Sequence, residues 1–192
     1  MTREPKCQKP KREPPNRKNS YMIGSNILTF DPAGTSETGY FLFHDIHNWE
    51  IGTIEGENSV EHGKKIDILI KNKKPLMIGW ETANFLKTKY ANVDWLELVY
   101  INGIIPYLIN INSISPARAY KVYNLETKRA VESSKITGLI MKQVQGERGR
   151  PKNIWYFHNR ELTPHQRDAI AVFYVVWTKF LKRPWPWSEK NS

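Results

Sequence analysis

Three short apolar runs near the beginning of the chain have the composition of β-strands. They occupy residues 26–30, 39–46 and 49–55, and turns rich in Gly, Pro and polar residues separate them. Because tight turns join strands that pair antiparallel, the pattern predicts a three-stranded antiparallel meander. A fourth run, residues 76–81, is almost entirely apolar and is typical of a strand that is buried on both faces of a sheet.

Apolar residues at intervals of three and four predict the helices. We expect helices at residues 59–73 and 93–108, and Pro75 marks the end of the first of them. A further strand is predicted at residues 109–115 and a further helix at residues 134–144. After the meander, helices and strands therefore alternate along the chain.

The last predicted helix has the clearest start signal in the sequence. Thr163 is a favoured N-cap residue, Pro164 is favoured at the first helical position, and Gln166 completes a capping box. The helix is expected to run from Pro164 to about residue 181. Its residues after the first turns are apolar almost all round, which predicts a buried helix.

Three acidic residues stand at the ends of these predicted elements. Asp31 ends the first strand, Glu81 ends a later strand, and Asp168 begins the buried helix on the same face as His165. If they meet at one sheet edge, they form the kind of carboxylate cluster that binds Mg²⁺. Two such ions about 3.5–4 Å apart stabilise the attacking and leaving oxygens of a phosphoryl displacement. The simpler alternative for Asp168 is that it only complements the helix dipole.

Composition and charge narrow the class of partner. The 192 residues fit one domain, and 29 Lys and Arg against 19 Asp and Glu give a net charge of +10, which indicates a nucleic acid or an anionic membrane surface as partner. No apolar run approaches the roughly 18 residues of a membrane span, and the first residues are polar, so we expect a soluble, intracellular protein that does not enter a membrane. The single cysteine, Cys7, excludes a disulfide framework within one chain.

The distribution of charge predicts three parts of the chain. Residues 1–20 contain seven Lys or Arg, two Glu and four Pro, and we expect a disordered basic arm because they have almost nothing to bury. A solubilising tail and an arm that follows phosphates both fit this composition. Residues 21–182 form the predicted folded domain, and residues 183–192 form a tail whose two tryptophans are expected to cover the domain surface.

Taken together, these residues resemble the RuvC-type Holliday junction resolvases of the RNase H-like superfamily. The resemblance covers residues 26–180 and rests on three motifs in order, namely Asp31-Pro32 with Thr38-Gly39-Tyr40, Glu81 after an apolar strand, and His165-Gln166-Arg167-Asp168-Ala169-Ile170-Ala171. It implies an α/β fold with a mixed five-stranded sheet, in which three antiparallel strands are followed by parallel strands, and helices on both faces.

The resemblance also implies an activity and its partners. Such an enzyme is a metal-dependent endodeoxyribonuclease that cuts branched DNA, above all four-way junctions, as a homodimer that uses two Mg²⁺ ions per site, with Mn²⁺ as a substitute. One departure is that Ala33 precedes Gly34, whereas the family commonly has glycine directly after the Asp-Pro pair. The long basic arm would suit a divergent viral or mobile-element member.

Residue roles follow from the same resemblance. Asp31, Glu81 and Asp168 are expected to bind metal, and His165 matches a fourth active-site position that binds metal or helps to activate water. Phe85 resembles an aromatic residue that stacks near the junction crossover. Lys121 and Lys142 resemble phosphate-binding lysines of the family. Apart from the resemblance, further cations are expected to contact DNA, namely Lys87 and Lys89 and, in the basic segment described next, Arg148, Arg150 and Lys152.

The basic segment at residues 146–160 has two interpretations. It interleaves cations with aromatic residues, a mixture that binds phosphates and stacks on bases, with Trp155 as a candidate for stacking. Equally, residues 154–157 fit a core or edge segment with a solvated basic flank. The remaining histidines have no ligand spacing and are expected to be surface or hydrogen-bonded residues; they are His44, His47, His62 and His158.

Three alternatives to a junction resolvase come from the same sequence. The Asp-Pro-Ala-Gly-Thr turn also resembles the phosphate loop of actin-like ATPases, which need a second comparable domain, for which 192 residues are too few. A non-catalytic module that binds branched DNA would be expected to lack an acid, and all the matching acids are present. Another RNase H-like nuclease, which acts on flaps or RNA-DNA hybrids, is the alternative that the sequence leaves open.

Overall fold

The computed structural model describes residues 26–82, 93–145 and 150–188. The strands are β1 (Ile27–Asp31), β2 (Ser36–Phe43), β3 (Trp49–Gly56), β4 (Met77–Thr82), β5 (Ala119–Tyr123), β6 (Leu139–Gln145), β7 (Pro151–Phe157) and β8 (Arg160–Leu162). The helices are α1 (Ser59–Lys73), α2 (Val93–Ile111), α3 (Asn124–Glu132) and α4 (Pro164–Val175). A π-helical segment, Val176–Phe180, continues α4 to the predicted end of that helix.

Five strands form the main sheet in the order β3-β2-β1-β4-β5. The pairs β1–β2 and β2–β3 are antiparallel, whereas β4 pairs parallel with β1 and β5 pairs parallel with β4. The meander predicted from the sequence is therefore confirmed. The order and directions of the strands are those of an RNase H-like α/β sheet.

Alternate residues of β1 point to opposite faces of this sheet. Ile27 belongs to the core cluster that includes α4, and the next residue, Leu28, belongs to the cluster that includes α1 and α2. Thr29 points back to α4, because its Oγ1 donates a hydrogen bond to the backbone oxygen of Ala169 at 2.8 Å. Helices thus cover both faces, as predicted, and Asp31 has the parity of the α4 face.

Two helices begin with an N-cap side chain, and that of α4 is the one predicted from the sequence. Thr163 Oγ1 accepts from the backbone nitrogen of Gln166 at 3.3 Å, and Gln166 Oε1 accepts from that of Thr163 at 3.1 Å, so the capping box of α4 is present. At α1, the side chain of Asn58 accepts from two backbone nitrogens of the first turn. These caps fix where each helix leaves the preceding loop.

Two predicted elements are wrong. The strand expected at residues 109–115 does not form, because α2 continues to Ile111 and buries Leu108 and Ile109 against the sheet; the strand lies further on, at β5. The helix expected at residues 134–144 is also absent. The helix of this region is α3, which ends at Glu132, and the second half of the predicted helix is strand β6. Short apolar runs fit either period, so packing partners decide between them.

A second sheet of three antiparallel strands, in the order β6-β7-β8, packs beside α4. Phe157 of β7 is fully buried and contacts Phe41 edge-on, with ring centroids 6.0 Å apart. Residues 154–157, which in one interpretation of the sequence are a core or edge segment, lie in β7 and bring Phe157 into the core. Trp185 and Trp187 pack on the same aromatic cluster, as predicted, and Trp185 is 5% exposed. The boundaries of the arm, the domain and the tail stay predictions.

Among the residues that the structure describes, no helix has both the length and the apolar character that a membrane crossing requires. The buried residues of α2 instead face the main sheet and α1.

Two glycines give a matched test of how closely α4 lies on the sheet. A Cβ at Gly39 of β2 would be 2.1 Å from the backbone oxygen of His165, whereas a Cβ at Gly103 of α2 would have no neighbour within 4 Å. We expect Gly39→Ala to destabilise the protein by at least about 2 kcal/mol because backbone must move. Gly103→Ala should stabilise it by about 0.5–1 kcal/mol through helix propensity.

Urea unfolding of the two variants and the wild type measures both effects. Equal stability of Gly39→Ala and the wild type would contradict the close contact between β2 and the first turn of α4.

Candidate active site

The pairing of β1 with β4 places two of the predicted acids side by side. The register runs in parallel to Phe30 opposite Trp80, and the next position on each strand is an acid, Asp31 on β1 and Glu81 on β4. Phe30 and Trp80 both point to the α1–α2 side, so both acids point to the α4 side. Both acids are largely buried, with 8% exposure for Asp31 and 7% for Glu81.

Helix α4 brings the other two predicted site residues to this sheet edge. Its first turn lies directly on Gly39, and its second turn is held by the hydrogen bond from Thr29 to Ala169. His165 and Asp168 therefore project toward the ends of β1 and β4. All four predicted site residues line one cleft of about 410 Å³.

Asp31 forms a hydrogen bond with His165. The Nδ1 of His165 lies 2.7 Å from Oδ2 of Asp31, so the imidazole donates to the carboxylate. This hydrogen bond raises the pKa of His165 above its ordinary value. The pKa of Asp31 is nevertheless raised, because burial outweighs the hydrogen bond from His165 and because Asp168 adds repulsion.

Glu81 is held by the first residues of α3. Asn124 Nδ2 donates to Oε1 at 2.5 Å, and Thr127 Oγ1 donates to Oε2 at 2.6 Å. These donors fix the carboxylate but bring no positive charge. Burial, together with the charges of Asp31 and Asp168, raises the pKa of Glu81 to about 7.

Asp168 has a charged partner next to it in sequence. Arg167 Nε donates to Oδ1 and its Nη2 donates to Oδ2, each at 2.7 Å, so the guanidinium binds both carboxylate oxygens. The guanidinium also stacks on the ring of Trp155, with its Cζ 5.3 Å from the ring centroid. Trp155 therefore packs against a protein side chain in this structure, and its role in base stacking stays a prediction.

A buried histidine, His62, supports the turn after Asp31 through a hydrogen bond with Thr38. Thr38 Oγ1 accepts from the backbone nitrogen of Ala33 at 3.1 Å and lies 3.1 Å from His62 Nδ1. The other ring nitrogen of His62 donates to the backbone oxygen of Gly56, and burial lowers the pKa of His62, so the neutral ring accepts from Thr38. Of the histidines without ligand spacing, His62 is hydrogen-bonded, as predicted.

The shift of glycine by one place in the Asp-Pro turn also has a structural reason. A Cβ at Gly34 would be 2.3 Å from the backbone nitrogen of Leu98, so this turn touches the backbone of α2. Ala33, one residue earlier, needs no such space and uses its backbone nitrogen to bond Thr38.

The donor set of the cleft suits a divalent metal ion. Carboxylate oxygens are the ligands that Mg²⁺ prefers, and a cation would offset the repulsion that raises the pKa values of Asp31 and Glu81. Within the described residues, however, no three His, Cys, Asp or Glu side chains stand together as a finished metal site. Each of the three carboxylates accepts hydrogen bonds from protein side chains.

The predicted DNA-binding residues occupy different places. Lys121 is exposed on the edge strand β5, and Lys142 is exposed on β6, with its Nζ 5.0 Å from the ring centroid of Tyr156. Arg150 and Lys152 are exposed at the start of β7. Four of these predictions lie outside the described residues, namely Phe85, Lys87, Lys89 and Arg148.

One of these cations reaches a groove next to the cleft. Lys152 lines a groove of about 530 Å³ together with Trp155, Arg160, and Pro164 at the start of α4. Lys121 and Lys142 line neither this groove nor the carboxylate cleft. A phosphate backbone that follows the groove would pass Lys152 and approach the first turn of α4.

The sequence reasoning did not identify three residues that hold the acids. Arg167 stands inside the quoted motif beside Asp168, so its charge was visible although its contact was not. Asn124 and Thr127 had no such signal, because α3 itself was not predicted and the contact spans more than forty residues.

Comparisons with known proteins give a likeness of structure only. No protein-family model matches the chain, and no curated protein matches it. By structure, it is similar to Thermus thermophilus RuvC in complex with a Holliday junction substrate, at 9% identity and a TM-score of 0.48 over 76% of this chain and 88% of that chain. It is also similar to a second Thermus thermophilus RuvC structure, at 12% identity and a TM-score of 0.42 over 76% and 89%.

The similarity to RuvC is one of fold.

The raised pKa of Glu81 predicts how stability depends on pH in the absence of metal. The pKa of Glu81 is about 7 in the folded protein against 4.5 for the free side chain. The contribution of protonated Glu81 to the free energy of unfolding is therefore fully present below about pH 4.5 and is lost as pH rises through 7. Glu81→Gln removes this loss. We expect it to raise the unfolding free energy at pH 8 by up to about 3 kcal/mol relative to wild type, provided that Asn124 turns its amide oxygen to the new donor.

Urea unfolding in EDTA at pH 5 and pH 8 measures this difference. Glu132→Gln, at an exposed position of α3, is the matched control and should change stability little at either pH. A wild-type protein whose stability is the same at both pH values, and which Glu81→Gln does not stabilise at pH 8, would contradict the buried, repelled carboxylate.

Proposed function

We propose that this protein is a metal-dependent endonuclease that cuts branched DNA, with four-way junctions as its main substrate. The observation that carries the proposal is the meeting of Asp31, Glu81, Asp168 and His165 at one edge of the sheet. These residues come from three distant parts of the chain, and a purely structural role does not explain why two of them are buried acids beside each other.

The site residues have separate tasks in this proposal. Asp31, Glu81 and Asp168 hold divalent metal, with Mg²⁺ as the natural ion and Mn²⁺ as a substitute. Two such ions supply stabilisation of both the attacking and the leaving oxygen in phosphodiester hydrolysis. His165 orients Asp31 through its Nδ1 and has a raised pKa, so it can hold or release a proton beside the reacting phosphate. Asn124 and Thr127 keep Glu81 aimed into the cleft.

The positive charge of the chain supports DNA as the partner. The net charge is +10, and Lys152 lines the groove that leads to the first turn of α4. Phosphate contacts of this kind give affinity without sequence choice. Specificity for junctions would then come from a homodimer, because a two-fold substrate offers two cleavage points to two equal sites.

Two other functions use the same residues. Another RNase H-like nuclease, acting on flaps or RNA-DNA hybrids, needs the same acids and differs in substrate. A non-catalytic module for branched DNA would bind the junction without any use of the acids. The preferred substrate distinguishes the other nuclease from a junction resolvase. Variants of the acids distinguish the non-catalytic module, because their loss would not change its activity.

The first test compares DNA substrates and acid variants. We expect the wild type to cut a mobile four-way junction in Mg²⁺ but not in EDTA, and to cut linear duplex, flap and RNA-DNA hybrid much less. Asp31→Asn, Glu81→Gln and Asp168→Asn should each reduce the cleavage rate by at least about a thousandfold, the scale of losing an essential group of a catalytic unit. Junction binding should remain within a fewfold of wild type, because it depends on the cations.

Gel-based cleavage and binding assays provide both quantities, and Glu132→Gln serves again as the matched control. Wild-type cleavage by Asp168→Asn would remove this residue from the mechanism, and preferential cutting of the hybrid would favour the other nuclease.

A second test concerns the role of His165. His165→Ala removes the donor to Asp31, so cleavage should fall by about 10²–10⁴-fold, the range for loss of an acid–base group. His165→Asp should retain more activity at saturating Mg²⁺, because a carboxylate can bind metal or accept a proton. Without metal it should be less stable than His165→Ala, since it adds a fourth acid to the cluster.

Cleavage rates and melting temperatures, each with and without Mg²⁺, give the comparison. Full activity in both variants would show that His165 is dispensable.

A further inference from the structure

Arg167, in the motif around Asp168, forms hydrogen bonds that oppose the proposed metal site. Its guanidinium binds both oxygens of Asp168 at 2.7 Å. Both side chains are only partly exposed, at 24% and 26%. The carboxylates of Asp31 and Glu81 also raise the pKa of Arg167, after the stronger effect of Asp168, so its charge acts on the whole acid cluster. Arg167 thus supplies the positive charge that a metal ion would otherwise supply.

A divalent cation and the guanidinium of Arg167 compete for the two carboxylate oxygens of Asp168. The two oxygens face the fork of Arg167, and a metal ion beside that fork would meet a like charge at close range. Glu81 does not have this difficulty, because its donors are the uncharged side chains of Asn124 and Thr127. Metal binding at Asp168 therefore requires that Arg167 move.

The surroundings of Arg167 allow such a movement without loss of every contact. The guanidinium already lies over Trp155, with Cζ 5.3 Å from the ring centroid. A cation over an indole ring keeps part of its stabilisation when a carboxylate partner leaves. Trp155 itself is held by β7 and by packing against the core around Phe157.

We infer that Arg167 is an exchangeable counter-ion, which holds Asp168 in the metal-free protein and gives it up when a divalent cation binds. The inference rests on the proposed function for the metal site. It adds that metal affinity is set in part by a competing side chain of the protein. It also assigns Arg167 a positioning role, because in the metal-free state it keeps Asp168 from approaching Asp31 and Glu81.

The experiment measures Mn²⁺ binding to the full chain by the EPR signal of the free ion, without DNA. Arg167→Gln removes the competing charge and should bind Mn²⁺ about tenfold more tightly than wild type, the scale of one charge-assisted bidentate interaction. Arg167→Lys keeps the charge but loses the fork, so its affinity should lie between the two. The melting temperature of metal-free Arg167→Gln should fall, and saturating Mn²⁺ should restore it.

A control separates the direct bond from a general change of charge. Lys65 lines the groove beside His165 and donates to the backbone oxygen of Glu55 rather than to a carboxylate of the site. Lys65→Gln should change Mn²⁺ affinity by less than about twofold, because an exposed charge that bonds no ligand is screened.

The movement of Arg167 has its own readout. The Nε–Hε resonance of Arg167 is identified in a ¹⁵N spectrum by its loss in Arg167→Lys. On addition of Mg²⁺ to the wild type it should shift and exchange faster with water, because the bond to Asp168 is broken. A resonance that stays in place while Mg²⁺ saturates the protein would overturn the inference.

The outcomes also distinguish this inference from the proposed function. Equal Mn²⁺ affinity of wild type and Arg167→Gln would overturn the exchange and leave the metal-dependent nuclease standing. Binding by Arg167→Gln alone would overturn both proposals, because Arg167 would then be a fixed counter-ion that the wild type does not release and the wild type would bind no metal. Absence of binding in both proteins would overturn both proposals.

Discussion

The parallel pairing of β1 with β4 is the constraint on which the site depends. It sets Phe30 opposite Trp80, and the strands then end in Asp31 and Glu81 on the same face. A slip of one residue would turn one acid into the apolar layer under α1 and α2. The buried residues Leu28 and Ile78 fix the register, because each must face that layer. The core of the protein and the position of its acids are therefore decided by the same alternation.

Burial of the carboxylates is energetically unfavourable, and several hydrogen-bond donors offset part of this desolvation energy. Burial and repulsion by Asp168 raise the pKa values of Asp31 and Glu81, and the charge of Asp31 raises that of Glu81 further. His165 donates to Asp31, whereas Asn124 and Thr127 donate to Glu81 without a charge of their own. Only Asp168 has a full counter-charge, from Arg167. The acid cluster is thus neutralised only in part by the described protein groups, which is the electrostatic condition that favours a divalent cation.

The side of the sheet that carries α4 is also the more aromatic side. Phe41, Phe173 and Trp177 pack there with the second sheet and with Trp185 from the end of the described chain. This packing holds α4 against Gly39, where no side chain would fit. The distance between the first turn of α4 and the ends of β1 and β4 therefore depends on aromatic residues remote from the acids. Precise placement of reactive groups on rigid elements is what such a site requires.

Several features of the structure could be predicted from the residue pattern, namely the meander, the capping box of α4 and the positions of Asp31, Glu81, His165 and Asp168 at the ends of elements. Those features depend on local period, turn residues and cap residues, which act over a few positions.

The sequence did not show whether residues 109–115 and 134–144 are helix or strand. Short apolar runs fit both periods, and the packing partners in the folded protein decide between them. Nor did the sequence show that Asn124 and Thr127 hold Glu81, or that Arg167 occupies Asp168 and rests on Trp155. The contacts to Glu81 and Trp155 join residues far apart in the chain, and the direction of the Arg167 side chain is set by its neighbours in space. Only the tertiary structure decides them, because side-chain contacts follow from packing and charge in three dimensions.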